Sequence, residues 1–190
     1  MMDLLLQIDI TFFHLINGYL SNPLFDMIMP IFHHTKHFLP FLILPWILAI
    51  AFDSKNRWKL ACLIPLAIIL VDQSGLLIKK TILRPRPFVT INPEIMNHLV
   101  KPSGINLSFP SNHAANNAVL AIIFSSVYNN LKYVFWGVAI TIMFSRVYIG
   151  VHYPLDVIFG CILGIFYGQL LVKGWDYFVR KKQFKTDNII

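Results

Sequence analysis

From residue 38 to residue 52 the chain runs without a charged side chain, and from 58 to 78 a second apolar run carries Lys59 at its start and Asp72 and Gln73 in its second half. Inside hydrocarbon no water meets a backbone N–H or C=O, so such runs are stable as helices that close their own hydrogen bonds. Further apolar runs occupy residues 113–128, 133–144 and 157–172, and a shorter one occupies 24–32, which is barely long enough to cross if its span starts near Gly18. Several fall short of the ~20 residues that hydrocarbon requires, which places their flanking aromatic and polar residues in the headgroup layer. Residues 1–17 interleave apolar positions with Asp3, Gln7, Asp9 and His14, the pattern of a helix lying in the interface. The expectation is an all-α, polytopic membrane helix bundle with about six transmembrane helices plus an N-terminal interfacial helix, forming one domain over residues 1–190.

Composition agrees: 56% of residues are hydrophobic, 13% are charged, and the mean hydropathy is +0.63. The formal charge of +7 would suit a nucleic-acid partner in a soluble chain. Here the cations sit in short joints between apolar runs and in a basic tail over 173–190, which fits membrane orientation and anionic lipid instead. Cys62 and Cys161 fall inside apolar runs and read as small buried hydrophobes, not as a disulfide. No Lys or Arg precedes Lys36 and no small-residue cleavage site follows an apolar core, so the mature chain is expected to start near Met1.

Alternating crossings gather Lys55, Arg57, Lys59, Lys132 and the C-terminal cluster on one side, and Lys36, Lys79, Lys80, Arg84, Arg86, Lys101 and Arg146 on the other. The second set lies among candidate site residues, where cations have another task, so the first marks the cytoplasmic side. Both termini are then expected in the cytoplasm, with the site facing outward from a bacterial cytoplasmic (inner) membrane.

Three polar segments fall on that outer side: Lys79 with Arg86-Pro87, carried by an expected extramembrane loop over 79–110; Ser108 to His113; and Ser145-Arg146 with His152 and Asp156. Lys79, Arg86 and Arg146 supply fixed charge, and arginine grips phosphate oxygens with parallel donors. Pro110-Ser111 ahead of an apolar run signals a helix start, whose free N–H groups suit an anion. His152 and Asp156 stand four apart, so a helix starting near His152 lets the carboxylate take the Nδ1 proton and leaves Nε2 free to attack phosphorus. His113, from another helix, is placed to give a proton to a leaving oxygen.

Lys79 with Arg86-Pro87, Pro110-Ser111-Asn112-His113, and Ser145-Arg146 with His152 and Asp156 resemble the three-part signature of the type 2 phosphatidic acid phosphatase superfamily. The resemblance implies a histidine nucleophile at His152 supported by Asp156, an acid at His113, and phosphoryl binding by Lys79, Arg86, Ser111, Asn112 and Arg146. It further implies a hydrolase that needs neither metal nor cofactor. One departure is Asn112, where the family usually has glycine. The expected substrate is a membrane lipid phosphate or pyrophosphate, with undecaprenyl pyrophosphate first because additional cations suit a second phosphate. Lipid A 1-phosphate, phosphatidylglycerol phosphate and phosphatidic acid are the alternatives.

Blander readings remain for single residues. His33, His34 and His37 read as a solvated loop, since no Cys or nearby carboxylate completes a zinc site. Asp72, two helical turns before Lys79, reads as a structural partner for a cation or a polar helix contact. Lys80, Arg84 and Lys101 divide evenly between membrane-surface charge and an extension of the anion site. Gly160, Gly164 and Gly168 are spaced for helix packing. A bis-histidine haem site leaves the three cations unexplained, while an anion transporter or channel would use them without needing the His152–Asp156 pair.

Overall fold

Prolines and short polar joints cut the apolar sequence into helices, and the computed structural model shows where each one ends; it describes residues 2–33, 35–101 and 106–187. Helix α1, Met2–His14, runs into a π turn at Leu15–Tyr19. Asn22 caps α2, Pro23–Ile28, by accepting from Phe25 N at 3.0 Å, and a 3-10 turn follows at Met29–Phe32. The remaining helices are α3, Thr35–Phe52; α4, Arg57–Ile82; the short α5, Pro87–Thr90; α6, Asn112–Val127; α7, Lys132–Tyr148; and α8, Pro154–Asp187.

Helices α3, α4, α6, α7 and α8 run back and forth between two ends of one bundle. At one end Tyr128 donates to Asp53 at 3.0 Å, and Lys59 pairs with Asp176 at 2.9 Å. At the other lie the connections 83–101, 106–111 and 149–153 together with the N-terminal segment. The bundle turns apolar side chains outward, among them Leu66, Ile69 and Leu77 of α4 and Ile158, Ile162, Phe166 and Leu170 of α8. A soluble protein would not leave such faces to water; lipid covers them without cost. Among the described residues, two helices are long and apolar enough to cross by themselves, Arg57–Ile82 and Pro154–Phe184. At 34 residues α8 spans ~51 Å, well beyond the ~30 Å hydrocarbon, so its last turns carry Arg180, Lys181 and Lys182 out of the bilayer as helix.

The run at 24–32 does not cross. It is split between α2 and the 3-10 turn, and a polar knot ties it to the loop end of the bundle. Asn17 donates to the carbonyls of Asn97 and Tyr148, both at 2.7 Å, and accepts from Asn97 N. Tyr148 and Asn97 both donate to Asp26, at 2.6 and 3.1 Å. Phe25 packs edge-on against Phe144 and Tyr148 near the end of α7. Helix α1 lies at the end of the bundle opposite to the end of α8, which bears on the expectation that both termini share one side.

Candidate active site

At the loop end, three helices deliver the polar segments to one place. Lys79 sits in the last turn of α4, inside the helix rather than in the loop that follows, and its buried ammonium donates to the carbonyls of Ser108, at 3.2 Å, and Pro110. The helix stops at Leu83, whose φ of 54° is the left-handed value that ends many helices. The chain then folds back, and the Arg84 carbonyl accepts from Ser108 N at 2.8 Å. Ser111 caps α6, its hydroxyl accepting from Ala114 N at 3.4 Å, and its own N–H donates to the Asp156 carbonyl at 2.9 Å. Two helix starts, α6 and α8, are thereby pinned together.

Asp156 is fully buried, and both carboxylate oxygens are engaged. Oδ2 accepts from Tyr153 N at 2.8 Å, and Oδ1 from Arg84 at 2.8 Å. His152 Nδ1 stands 3.5 Å from Oδ2, half an ångström or so outside a formed hydrogen bond. Helix α8 begins at Pro154, two residues after His152, so the imidazole belongs to the loop, yet the carboxylate still reaches its Nδ1 face. Burial of His152 pushes its imidazole down to about 4, against the upward pull of Asp156, so the ring is neutral and its nitrogen lone pair is available.

Arg146, 1% exposed, is held by Ser145: its Nε and a terminal nitrogen donate to the Ser145 hydroxyl at 3.2 and 3.0 Å, and its other terminal nitrogen lies 3.4 Å from His33 Nδ1. Arg146, Arg86, His33 and His152 all stand close enough to act on the His113 ring, as Arg86 and Lys79 do on His152. Lys79, Arg86, His113, Arg146, His152 and Asp156 thus share one site.

Asn112 departs from this group. Its side chain turns away along α4 and donates to Asp72 at 3.0 Å, as does Asn116. Asp72 is the polar helix contact its spacing suggested. Ser111 is drawn into capping, and what it brings to the site is the start of α6.

Three participants are not marked by the motif pattern. Arg84 lies between two buried carboxylates, pairing with Asp9 at 2.5 Å and Asp156 at 2.8 Å, and its guanidinium covers the Tyr153 ring at 4.1 Å. It is neither a surface charge nor a spare anion ligand. Asp9 also accepts from Leu155 N at 2.8 Å, capping α8 from across the molecule. His33 joins Arg146; His34 and the side chain of His37 lie outside the described residues.

A helical membrane bundle that gathers three cations, two imidazoles and a buried carboxylate at one end defines a membrane enzyme built to handle phosphate. Residues 58–180 match the PAP2 superfamily model. The chain is 30% identical over 190 residues to the lipid A 4'-phosphatase of Bacteroides thetaiotaomicron, covering 96% of this chain and 81% of that one. It is 30% identical over 122 residues to an undecaprenyl-diphosphatase of Sulfolobus acidocaldarius, covering 63% of this chain and 57% of that enzyme. In structure it resembles LpxE of Aquifex aeolicus, with a TM-score of 0.68 and 29% identity over 86% of this chain and 94% of the other. It also resembles a transmembrane phosphatidylglycerolphosphate phosphatase of Bacillus subtilis, with a TM-score of 0.64 and 29% identity over 88% and 85%. The chain belongs to the PAP2 superfamily and is a membrane lipid phosphatase.

Proposed function

We propose that the chain hydrolyses a phosphate ester on a lipid whose tail stays in the bilayer, through a phosphohistidine at His152. The observation that carries this is the buried His152–Asp156 pair facing Lys79, Arg86 and Arg146. The cations hold the phosphoryl oxygens and neutralise charge as the transition state forms, the task a metal performs elsewhere. His152 Nε2 attacks phosphorus as the ester P–O bond breaks, and the leaving oxygen takes a proton from His113. Asp156 supports the positive charge that grows on the His152 ring. Water then attacks phosphorus, giving its proton to His113 as the N–P bond breaks, and inorganic phosphate leaves.

His152→Ala is expected to abolish phosphate release from every lipid substrate, with wild-type turnover unchanged by EDTA. Near-normal turnover in that variant rejects the mechanism, and a transporter would show no phosphate release by purified protein at all.

Undecaprenyl pyrophosphate was favoured by additional cations near the site. Arg84 no longer counts among them, since Asp9 and Asp156 occupy it, and Lys80 and Lys101 are exposed. A single phosphate on a lipid A-type headgroup fits the remaining cations, and the nearly full-length similarity to a lipid A 4'-phosphatase supports it. Specificity constants for lipid A phosphates, undecaprenyl pyrophosphate, phosphatidylglycerol phosphate and phosphatidic acid, measured in one detergent, decide between them. The site is proposed to face outward from a bacterial cytoplasmic membrane.

A further inference from the structure

A groove of about 660 Å³ opens between α3, α4 and α6, with His113 and Asn112 near its upper end and Phe124 towards its lower end. From Asn112 to Phe124 it follows α6 for ~18 Å. Its walls are apolar, from Leu42 and Trp46 to Ile68 and Leu120, and of the candidate catalytic groups His113 lines its upper end. The described lining has one ionisable exception besides His113. Asp72 stands in α4 two turns, ~10 Å, below Lys79. A carboxylate at that depth is costly and points to function.

The carboxylate is arranged for a ligand. Asp72 Oδ1 accepts from the amides of both Asn112 and Asn116, at 3.0 Å each, which fixes its direction. The Asn112 carbonyl oxygen is packed against Gly75, where even a Cβ would come within 2.6 Å, and a flip of the amide would turn that oxygen onto the Asp72 carboxylate. Asp72 Oδ2 accepts no hydrogen bond from the described residues and is not sealed off. An apolar groove with one oriented acceptor favours an apolar chain that carries one donor.

We infer that this groove holds an acyl chain of the lipid substrate and that Asp72, oriented by Asn112 and Asn116, selects chains bearing an N–H or O–H donor near their head. This deepens the phosphatase reading and rests on it for the word substrate. A polyisoprenoid chain offers no such donor and gains nothing from Asp72. Asn112, at the position where the family usually has glycine, becomes part of lipid recognition and leaves the phosphate to its neighbours.

The test uses full-length protein in detergent, native mass spectrometry and three phosphate-free probes: glucosamine carrying a β-hydroxymyristoyl amide, glucosamine carrying a myristoyl amide, and glucose carrying a myristoyl ester. The first and second separate a hydroxyl from an amide donor, and the third has no chain donor. Wild type is expected to retain at least one donor-bearing probe about tenfold more tightly than the ester, the scale of a hydrogen bond to a charged group. Asp72→Asn keeps an oxygen for the two amides but turns an N–H into the groove, and should flatten the ranking. Asn116→Ala, which removes one orienting amide, should weaken it and serves if the first variant does not fold. Equal retention of all three by wild type, or a ranking unchanged in the folded variants, overturns the assignment. Ranked retention without phosphate release from any lipid would instead reject the phosphatase reading and leave the groove standing.

Discussion

At the scale of single residues, the site depends on a charge chain that begins far from the chemistry. Asp9 holds one end of Arg84 and the N-terminus of α8, Arg84 holds Asp156, and Asp156 faces His152. Removing the arginine would leave two buried carboxylates uncompensated, a loss of ~3–5 kcal/mol that puts folding itself at risk. Asp9 offers the cleaner measurement. Asp9→Asn keeps the shape but weakens the hold on Arg84 and so on Asp156; kcat should fall about tenfold with KM nearly unchanged, and Asp9→Glu should restore part of it. A change in KM alone would place Asp9 in substrate binding instead. The buried ring of His152 also sets a pH expectation. Its proton affinity is lowered, so the nucleophile stays neutral as pH falls through 6.5 and is lost only near 4. Once kcat/KM is corrected for ionisation of the phosphate itself, the acid limb should lie near pH 4. Asp156→Asn should move that limb lower still, because the carboxylate raises the ring. A corrected limb at 6.5 would mean that His152 is hydrated in the working enzyme.

At the scale of elements, the site is fixed by how closely α8 lies on α6. A Cβ added at Gly160 would collide with the Ser111 carbonyl, and one at Gly164 with the Ala115 carbonyl, whereas at Gly137 of α7 nothing stands within 4 Å. Gly164→Ala should therefore lower the thermal midpoint in detergent, by an amount corresponding to ~1–3 kcal/mol, while Gly137→Ala should leave it unchanged or slightly raised. Equal midpoints for the two would remove close packing as the reason for the glycine. This spacing was readable in the sequence because it repeats along one helix. So were Lys79, His113, Arg146 and His152 as candidates, since each carries its chemistry with it and each falls at the loop end of an apolar run. Asp9, Arg84 and His33 were not. Their roles rest on partners 75, 72 and 113 positions away, and nothing in the local pattern separates a carboxylate that will cap another helix from one that will meet water. Asn112 was legible as a departure, but its direction was set by the space beside Gly75.

At the scale of the whole molecule, the five bundle helices among the described residues put α1 and the last turns of α8 at opposite ends of the bundle, and this gives topology a sharper test than charge counting. Lys55, Lys132 and the cations in the last turns of α8 lie away from the site, whereas Lys79, Arg84 and Arg146 at the other end are held by carbonyl, carboxylate and hydroxyl oxygens. Cations that the site does not occupy are the ones that set orientation, so the C-terminal end is expected in the cytoplasm and the site outside. Helix α1 must then lie outside as well, against the start of α8, with its exposed apolar residues Leu4, Leu5, Ile8 and Phe12 in lipid. With Cys62 and Cys161 replaced by alanine, single cysteines at exposed Gln7, Asn92 and Asn130 report the three places. A membrane-impermeant maleimide applied to intact cells should label Gln7→Cys and Asn92→Cys together, and Asn130→Cys only after the membrane is opened. Labelling of Asn130→Cys alone in intact cells would turn the site towards the cytoplasm. If Gln7→Cys instead behaved like Asn130→Cys, α1 could not reach the start of α8, and the Asp9–Arg84–Asp156 chain would fall with it.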